Sequence, residues 1–449
     1  MKVAKFGGSS LANAEQFTRV ASIVKNDPSR KFIVVSAPGK QFEQDMKITD
    51  LFIQLGANLD NNAHVCKQIE TIMQRFLKII KGLKLPLNIA GDIKQRIHAV
   101  IESAQPKFVK REALKSLGED SSARILSMYL QTLGLDATYL SPKDAGIYVS
   151  NEPGRAQLIP ESYSQLYTWR NKKGIFVIPG FFGYTKDGKL ATFSRGGSDI
   201  TGSIVAAGVK ADLYENFTDV DSVYVVNPQI VNNPKTIHLL TYKEMRELSY
   251  AGFSVFHDEA LIPAFKAKIP VCIKNTNKPD ADGTMIVDQK KPSEKCVVGI
   301  ASDTGFCNIF ISKFLMNREL GFGRRLFQIL EEESISFEHA PSGIDDMSII
   351  IRESQLTDEK EQLILRRIHE ELQPDYVQIQ RDLAMVMIVG EGMMKTKGIA
   401  QKATTAFTRA NVNIEVINQG SSEVSMMFGI QSKDLNQSIR SLYQAFFEN

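Results

Sequence analysis

The segment Lys5-Phe6-Gly7-Gly8-Ser9-Ser10 carries the chain out of a short apolar run that starts at Val3. The apolar run predicts a buried strand, and residues Ala14 to Lys25 place apolar side chains at helical spacing. A glycine turn between a strand and a helix offers backbone N–H groups and the positive end of the helix dipole to an anion. Lys5 adds a full positive charge. The segment therefore predicts a phosphate-binding turn, with an ordinary strand-to-helix turn as the alternative.

The composition is that of a globular protein without a strong charge bias. The chain has 449 residues, 43% hydrophobic and 23% charged, which suggests about two to four domains. Lys and Arg total 54 against 51 Asp and Glu, and this balance argues against a nucleic-acid partner. We see no signal peptide and no apolar run long enough to span a bilayer, so we expect a cytoplasmic protein with no membrane partner. The 4 cysteines and 6 histidines are scattered, which predicts no protein-ligated metal and no disulfides.

The first 290 or so residues alternate strand and helix patterns. Apolar strand patterns occur at Phe32–Val35, Ala137–Leu140, Ile175–Ile178 and Ala211–Phe217. Between Asn61 and Leu133 only helical patterns occur. Such alternation predicts an α/β fold with a mostly parallel sheet between helices.

The pattern changes after about residue 303. Residues 307–382 and 384–446 each read as βαββα with similar lengths, which predicts a duplicated α+β module whose two sheets can merge. We predict a catalytic domain over residues 1–292 and two small domains over 303–382 and 383–449. A strand at 296–302 either belongs to the last of these domains or lies outside it.

A second glycine turn, Ser194-Arg195-Gly196-Gly197-Ser198-Asp199, precedes another helix pattern. The Arg195 guanidinium is suited to a carboxylate or a phosphate. A plain turn with an N-capping aspartate is the alternative. Two such turns on one sheet favour a pocket that takes a phosphate and a carboxylate.

Three other positions each keep two explanations. Glu119 suits an ammonium ligand or is a solvated helix acid, and Thr49 suits a ligand or caps a helix beginning at Asp50. The segment Thr218-Asp219-Val220-Asp221 faces a ribose and a metal or makes a turn. The absence of Gly-x-x-x-x-Gly-Lys-Ser/Thr excludes a Walker-type NTPase. The absence of Gly-x-Gly-x-x-Gly after a strand counts against a dinucleotide enzyme.

In order and spacing, these motifs resemble the aspartate kinases. The matching segments are Lys5–Ser10, Lys47–Leu51, Gly118-Glu119, Ser194–Asp199 and Phe217–Asp221. The tail resembles their paired ACT regulatory domains, at Pro341–Asp346 and Gln419–Ser425. The resemblance covers essentially the whole chain and is closest to monofunctional, lysine-regulated enzymes. It implies a three-layer α/β/α amino-acid-kinase domain followed by two ferredoxin-like (βαββαβ) ACT domains.

The resemblance also implies a reaction. Such enzymes transfer the γ-phosphoryl of ATP to the β-carboxylate of L-aspartate, the first step towards lysine, threonine and methionine. The acceptor carboxylate has a pKa of about 4, so it is ionised and needs no general base. Catalysis then consists of positioning and charge stabilisation. Mg²⁺ is expected to bind mostly to phosphates and water.

Residue roles follow from the resemblance alone. Lys5 would stabilise the phosphoryl group in transfer, and Asp199 would orient Lys5. Arg195 would bind the α-carboxylate of aspartate, with help from Thr49 and Ser198.

Glu119 would hold the substrate α-ammonium group. ATP would contact Lys5, Phe6, Gly7, Gly8, Ser9, Gly196, Gly197, Thr218, Asp219 and Tyr224.

The sequence departs from the family at two ATP-contacting positions. The stretch Asn227-Pro228-Gln229 lacks a basic residue that often follows an aspartate-proline pair, and Gly252–Asp258 lacks a lysine at Ser254. We expect that the deficit either weakens nucleotide affinity or is met by another basic residue such as Lys274.

For regulation, the resemblance implies an effector amino acid, lysine alone or together with threonine, bound between ACT domains of a homodimer or tetramer. The candidate residues are Met316, Arg318, Ser336, Glu338, Ser342, Asp345 and Asp346, and a solvated acidic loop is the alternative. Two other functions stay open: a kinase acting on glutamate, and an amino-acid sensor with an inactive kinase domain. The pairing of Arg195 with Glu119 argues against carbamate as the acceptor.

Overall fold

The computed structural model describes residues 1–194, 196–253, 258–291, 296–394 and 396–448. The strands are β1 (Lys2–Phe6), β2 (Arg30–Val35), β3 (Ala137–Tyr139), β4 (Ile175–Pro179), β5 (Phe182–Tyr184), β6 (Leu190–Thr192), β7 (Leu213–Thr218), β8 (Val223–Tyr224), β9 (Thr236–Ile237), β10 (Leu239–Thr241), β11 (Val271–Asn275), β12 (Thr284–Val287), β13 (Gly299–Ser312), β14 (Phe337–His339), β15 (Asp346–Arg352), β16 (Tyr376–Val389), β17 (Val416–Asn418) and β18 (Ser425–Gln431). The α-helices are α1 (Ala14–Asn26), α2 (Ile48–Ala57), α3 (Asn62–Gly82), α4 (Asn88–Glu102), α5 (Lys107–Thr132), α6 (Pro142–Ala145), α7 (Glu161–Thr168), α8 (Gly197–Gly208), α9 (Tyr242–Tyr250), α10 (Ile262–Lys266), α11 (Phe322–Glu332), α12 (Asp358–Leu372), α13 (Ile399–Arg409) and α14 (Leu435–Tyr443). The described residues within 1–223, 236–245 and 254–291 form one compact unit, and those within 224–235, 246–253 and 292–449 form a second.

The first unit contains an eight-stranded sheet in the order β10-β12-β11-β7-β1-β2-β4-β3. Its neighbouring strands run parallel except β11 and β12. The predicted strands β1, β2, β3, β4 and β7 are present, and the helical stretch from 61 to 133 forms α3, α4 and α5. The prediction of a mostly parallel sheet is confirmed.

Helices cover both faces of this sheet. Ala4 and Phe6 of β1 point to a core shared with α1 to α5, where Phe6 stacks on Phe217 with ring centroids 4.8 Å apart. Side chains alternate along a strand, so Lys5 points to the opposite face, where α8 packs. The α/β/α arrangement predicted for this domain is therefore confirmed.

The second unit contains a six-stranded sheet in the order β14-β15-β13-β16-β18-β17, with every neighbouring pair antiparallel. Helices α11 to α14 alternate with these strands in the predicted βαββα order. This sheet confirms the expected α+β class of the C-terminal half.

Strands β13 and β16 are each 14 residues long and serve both halves of this sheet. Residues 306–312 of β13 pair with β15, whereas residues 383–389 of β16 pair with β18. The register of the β13–β16 pair shifts beside Gly305, and both Gly305 and Asp382 have positive φ angles, +80° and +61°. The two βαββα repeats therefore meet within two continuous strands.

None of the helices in the described part of the chain combines the length and the apolarity that a membrane crossing requires.

Candidate active site

Lys5 and Asp199 form a largely buried ion pair at the carboxyl edge of the parallel sheet. Lys5 Nζ lies 2.6 Å from Asp199 Oδ1, with the two side chains 7% and 19% exposed. The Lys5 ammonium also lies beside Gly7, the first residue of the glycine turn. The Lys5 ammonium group is thus held in a fixed orientation beside the glycine turn.

The first glycine turn is joined to α1 by a short intervening segment. The Gly7 N–H donates to the Phe217 carbonyl at 3.0 Å, and residues Ser9–Leu11 form a turn of 3₁₀-helix. Helix α1 begins only at Ala14, with the Asn13 side chain as its N-cap. The helix predicted from Ala14 is therefore confirmed, and a 3₁₀ turn and a capping asparagine separate it from the glycine turn.

A loop over residues 38–47, which we call the β2–α2 loop, packs on this glycine turn. The Gly39 N–H donates to the Gly8 carbonyl at 2.8 Å, and a Cβ on Gly39 would lie 2.6 Å from the Gly8 carbonyl carbon, so no side chain fits there. Arg75 of α3 fixes the loop by donating to the carbonyls of Gly39 at 2.7 Å and Met46 at 3.1 Å. It also pairs with Asp45 at 2.8 Å. The loop is thus clamped at both its start and its end.

Thr49 lies in the first turn of α2, directly after this loop. The helix begins at Ile48 with Lys47 as its N-cap and without a side-chain cap. The Ile48 N–H instead donates to the Pro38 carbonyl at 3.1 Å. The capping role predicted for Thr49, in a helix beginning at Asp50, is therefore wrong, and Thr49 stays a candidate ligand at a helix N-terminus.

Glu119 lies in the middle of α5 and is 4% exposed, which contradicts the alternative of a solvated helix acid. Gly118 lets α5 approach Ala37, whose backbone N–H donates to the Glu119 carboxyl. The Oε2 atom has no hydrogen-bond partner within the described ranges. Burial raises the pKa of Glu119 to about 8. A buried acceptor left unpaired costs free energy that a bound ammonium group would recover.

The second glycine turn leads into α8. Gly196, with φ +75°, is the N-cap, and Ser198 and Asp199 lie in the first helical turn. Ser198 is 8% exposed and packs directly on Gly180, whose N–H donates to Val35 of β2 at 2.9 Å. Arg195 lies outside the described residues.

The Thr218–Asp221 segment follows β7. Thr218 donates to the Asp219 carboxylate at 3.2 Å. Asp221 pairs with Lys278 at 2.6 Å and also accepts from Asn275, and these contacts lower its pKa. The carboxylate of Asp221 is therefore held by the protein itself, as the turn explanation expects.

Tyr224 belongs to the second unit. There it lines a cavity of about 360 Å³ with Pro228, Asn232, Asn233 and Pro234.

The positions that depart from the family pattern are only partly described. The Gln229 N–H donates to the Asn227 side chain at 2.9 Å. The predicted departure at Ser254 lies outside the described residues. Lys274 is in register with Phe217, so it lies on the opposite sheet face from Lys5.

Two loops of the second unit bring together five of the seven candidate effector residues. The Leu315 N–H donates to Asp345 Oδ1 at 2.8 Å, and the Asn317 N–H donates to the Ile344 carbonyl at 3.1 Å. These bonds join residues 313–321 to the hairpin 341–346. The five residues are Met316, Arg318, Ser342, Asp345 and Asp346.

Ser336 and Glu338 make contacts of their own along β14. Ser336 donates from its backbone and hydroxyl to Gln355 Oε1, at 2.9 and 3.0 Å. Glu338 accepts from Arg352 Nε at 3.3 Å and from the Tyr250 hydroxyl.

Sequence reasoning missed two polar residues near the site, Arg75 and Asn216. Arg75 lies on the apolar face of α3, and Asn216 is 2% exposed in β7. A polar residue inside an otherwise apolar pattern is the signal that would have identified both.

The comparisons with known proteins agree with this geometry. Residues 1–275 match the amino acid kinase family and residues 386–446 match an ACT domain. Aspartokinase 3 of Bacillus subtilis is 52% identical over 448 residues, which span 100% of this chain and 99% of that protein.

Solved structures give the same result. The crystal structure of Clostridium acetobutylicum aspartate kinase superposes with a TM-score of 0.89 at 40% identity, covering 99% of this chain and 100% of that one. Aspartokinase III of E. coli shares the fold, with a TM-score of 0.81 at 23% identity over 100% of both chains. The chain therefore belongs to the aspartokinases, the ATP-dependent aspartate kinases of the amino acid kinase family.

Proposed function

We propose that this enzyme transfers the γ-phosphoryl of ATP to the β-carboxylate of L-aspartate and releases 4-phospho-L-aspartate, as the first step in making lysine, threonine and methionine. The buried Lys5–Asp199 pair at the glycine turn carries the proposal. The acceptor is already an anion, so the enzyme has only to align it and to offset the charge that develops on the phosphoryl group. Lys5 offsets this charge, and Asp199 fixes the direction of the ammonium.

Glu119 receives the α-ammonium of aspartate in this proposal. Its unpartnered Oε2 supports the assignment, because an ammonium donor would satisfy an acceptor that the described protein leaves alone. Thr49 and Ser198 lie at the N-termini of α2 and α8, where helix dipoles favour a carboxylate. Arg195 completes the α-carboxylate site by resemblance to the family.

ATP occupies the glycine-turn edge, and the nucleotide contacts within the first unit are those that the family resemblance assigns, from Lys5 to Asp219. Within the described ranges no group of three or more His, Cys, Asp and Glu is arranged to hold a metal. Mg²⁺ fits as a partner of the phosphates, since it binds phosphate oxygens and water with few protein ligands. It would neutralise charge on the triphosphate. The crystal structure of E. coli aspartokinase III with aspartate and ADP supports this pair of ligands.

Regulation is a second part of the proposal. Lysine, alone or with threonine, binds at the loops 313–321 and 341–346 and inhibits the kinase, in an oligomer formed through the ACT domains. The exposed carboxylate of Asp346 and that of the nearby Asp345 are suited to bind an ammonium group of the effector. E. coli aspartokinase III has been crystallised with lysine and aspartate in a T-state.

The decisive experiment measures ATP-dependent hydroxamate formation with L-aspartate and, in parallel, with L-glutamate. Hydroxylamine traps the acyl phosphate before water destroys it. We expect a signal with aspartate alone that is lost in Lys5→Ala, with a thermal melt showing that this variant folds. A signal with glutamate alone would overturn the substrate assignment, and no signal with either would favour the sensor.

A further inference from the structure

Asn216 touches the Lys5–Asp199 pair, and the roles assigned above do not use it. It lies on β7 in register with Lys5 on β1, so both side chains emerge on the same sheet face. Asn216 Nδ2 donates to Asp199 Oδ1 at 2.5 Å. This is the oxygen that Lys5 Nζ contacts at 2.6 Å.

The chemistry of the groups fixes how Asn216 is oriented. An ionised carboxylate only accepts hydrogen bonds, so the amide NH₂ and not the amide oxygen faces Asp199. The same Nδ2 lies 3.2 Å from the Tyr214 hydroxyl, which in turn donates to the Asp199 carbonyl at 3.2 Å. Asn216 is 2% exposed and Tyr214 is 0% exposed, so water does not replace these bonds. The amide therefore restrains rotation of the Asp199 carboxylate about its Cβ–Cγ bond.

We propose that Asn216 is a positioning residue for phosphoryl transfer. It holds the Asp199 carboxylate in the orientation that directs the Lys5 ammonium towards the transferring group. This inference rests on the proposed function. Asn216 acts through Asp199 and not on a substrate, so its removal lowers kcat and leaves both KM values in place.

The test uses Asn216→Leu, which keeps the approximate volume and removes the donor. We expect kcat to fall about tenfold, with KM for aspartate and for ATP unchanged within about twofold. Asn308→Leu is the matched control. Asn308 is also 2% exposed, and its amide donates to Ser348 and Gln380 in the six-stranded sheet, so kcat should stay within about twofold.

A double-mutant cycle separates positioning from general support of the fold. In an Asp199→Ala background the hydrogen-bond acceptor is gone, so adding Asn216→Leu should lower kcat by less than about twofold. An equal loss in both backgrounds would show a structural role only. Asn216→Asp replaces the donor by a second carboxylate and should lower kcat further, which covers the case in which the leucine variant does not fold.

The outcomes separate the two claims. A folded wild-type enzyme without aspartate-dependent hydroxamate formation would overturn the proposed function. An active wild type with unchanged kcat in the folded Asn216 variants, or with a raised KM alone, would overturn the role of Asn216.

Discussion

Arg75 donates from Nη2 to the carbonyl oxygen of Gly39 at 2.7 Å, which ties helix α3 to the β2–α2 loop beside the glycine turn. The loop leads into α2 and Thr49. Loosening it should therefore disturb aspartate binding more than phosphoryl transfer. We expect Arg75→Lys to raise KM for aspartate about tenfold and to lower kcat less, because lysine cannot reproduce the forked contacts.

The matched control is Arg111→Lys. Arg111 donates from Nε to the Gly56 carbonyl at 3.0 Å, near the other end of α2. Steady-state kinetics of both variants should show a raised aspartate KM for Arg75→Lys only. An equal change in both would mean that α2 as a whole, and not the loop, was affected.

The raised pKa of Glu119, about 8 against an ordinary 4.5, predicts how aspartate binding depends on pH. An ammonium ligand needs the ionised carboxylate, so the KM for aspartate should fall as the pH rises from about 6 to about 8. Glu119→Gln should raise this KM by about a hundredfold and abolish its pH dependence. A pH-independent KM in the wild type would remove Glu119 from the ammonium site.

The same shift predicts the stability of the empty enzyme. Between pH 4.5 and about 8 the folded state holds a proton on Glu119 that the unfolded state has lost, so folding stability contributed by this group falls as the pH rises. Glu119→Gln should therefore raise the melting temperature at pH about 8.5 more than at pH about 5, by removing a charge that burial disfavours. Thermal denaturation without ligands at both values tests this.

Lys278 and Lys274 are two candidates for the basic residue that the family resemblance places near ATP and that this chain lacks at the usual positions. Lys278 pairs with Asp221 in the segment after β7, whereas Lys274 points to the sheet face opposite Lys5. We expect Lys278→Ala to raise KM for ATP severalfold and Lys274→Ala to change it less. A larger effect of Lys274→Ala would restore the prediction made from the sequence.

Asp346 is the acid best placed to receive a lysine effector. Asp345 Oδ1 already accepts from the Leu315 N–H, whereas the Asp346 side chain is exposed on the same hairpin. Asp346→Asn should raise the lysine concentration for half inhibition about tenfold without changing kcat. Asp358→Asn, an exposed acid at the start of α12, is the control. Equilibrium dialysis that detects neither lysine nor threonine binding to the wild type would contradict the regulatory proposal.

The elements that could be predicted from the sequence have a strong local periodicity of apolar residues or contain a motif of several adjacent residues. Strand β1 and helix α1 follow from the spacing of apolar residues and Lys5 from its glycine turn, whereas the pairing of Asp199 with Lys5 follows only from the family resemblance. The environment of Glu119 does not follow in this way. Helix α5 is buried on every side over Ser116–Ala123, so its pattern has no solvent face from which burial can be inferred.

Long-range contacts account for the remaining errors. Lys47-Ile48-Thr49-Asp50 offers threonine as a preferred capping residue, yet the helix starts two residues earlier, at Ile48, because the distant Pro38 carbonyl takes the Ile48 N–H. Asn216 lies beside Lys5 only because β7 pairs with β1, which places together two residues 211 positions apart in the chain. No local pattern contains such a pairing.

The continuity of β13 and β16 limits how the C-terminal half can be divided into fragments. A cut between residues 382 and 383 would sever β16, depriving β13 of half its partner and β18 of its neighbour. Neither repeat would survive as an independent fragment, and the whole half should melt in one cooperative transition. Truncations that aim to isolate the kinase domain must therefore remove both repeats together.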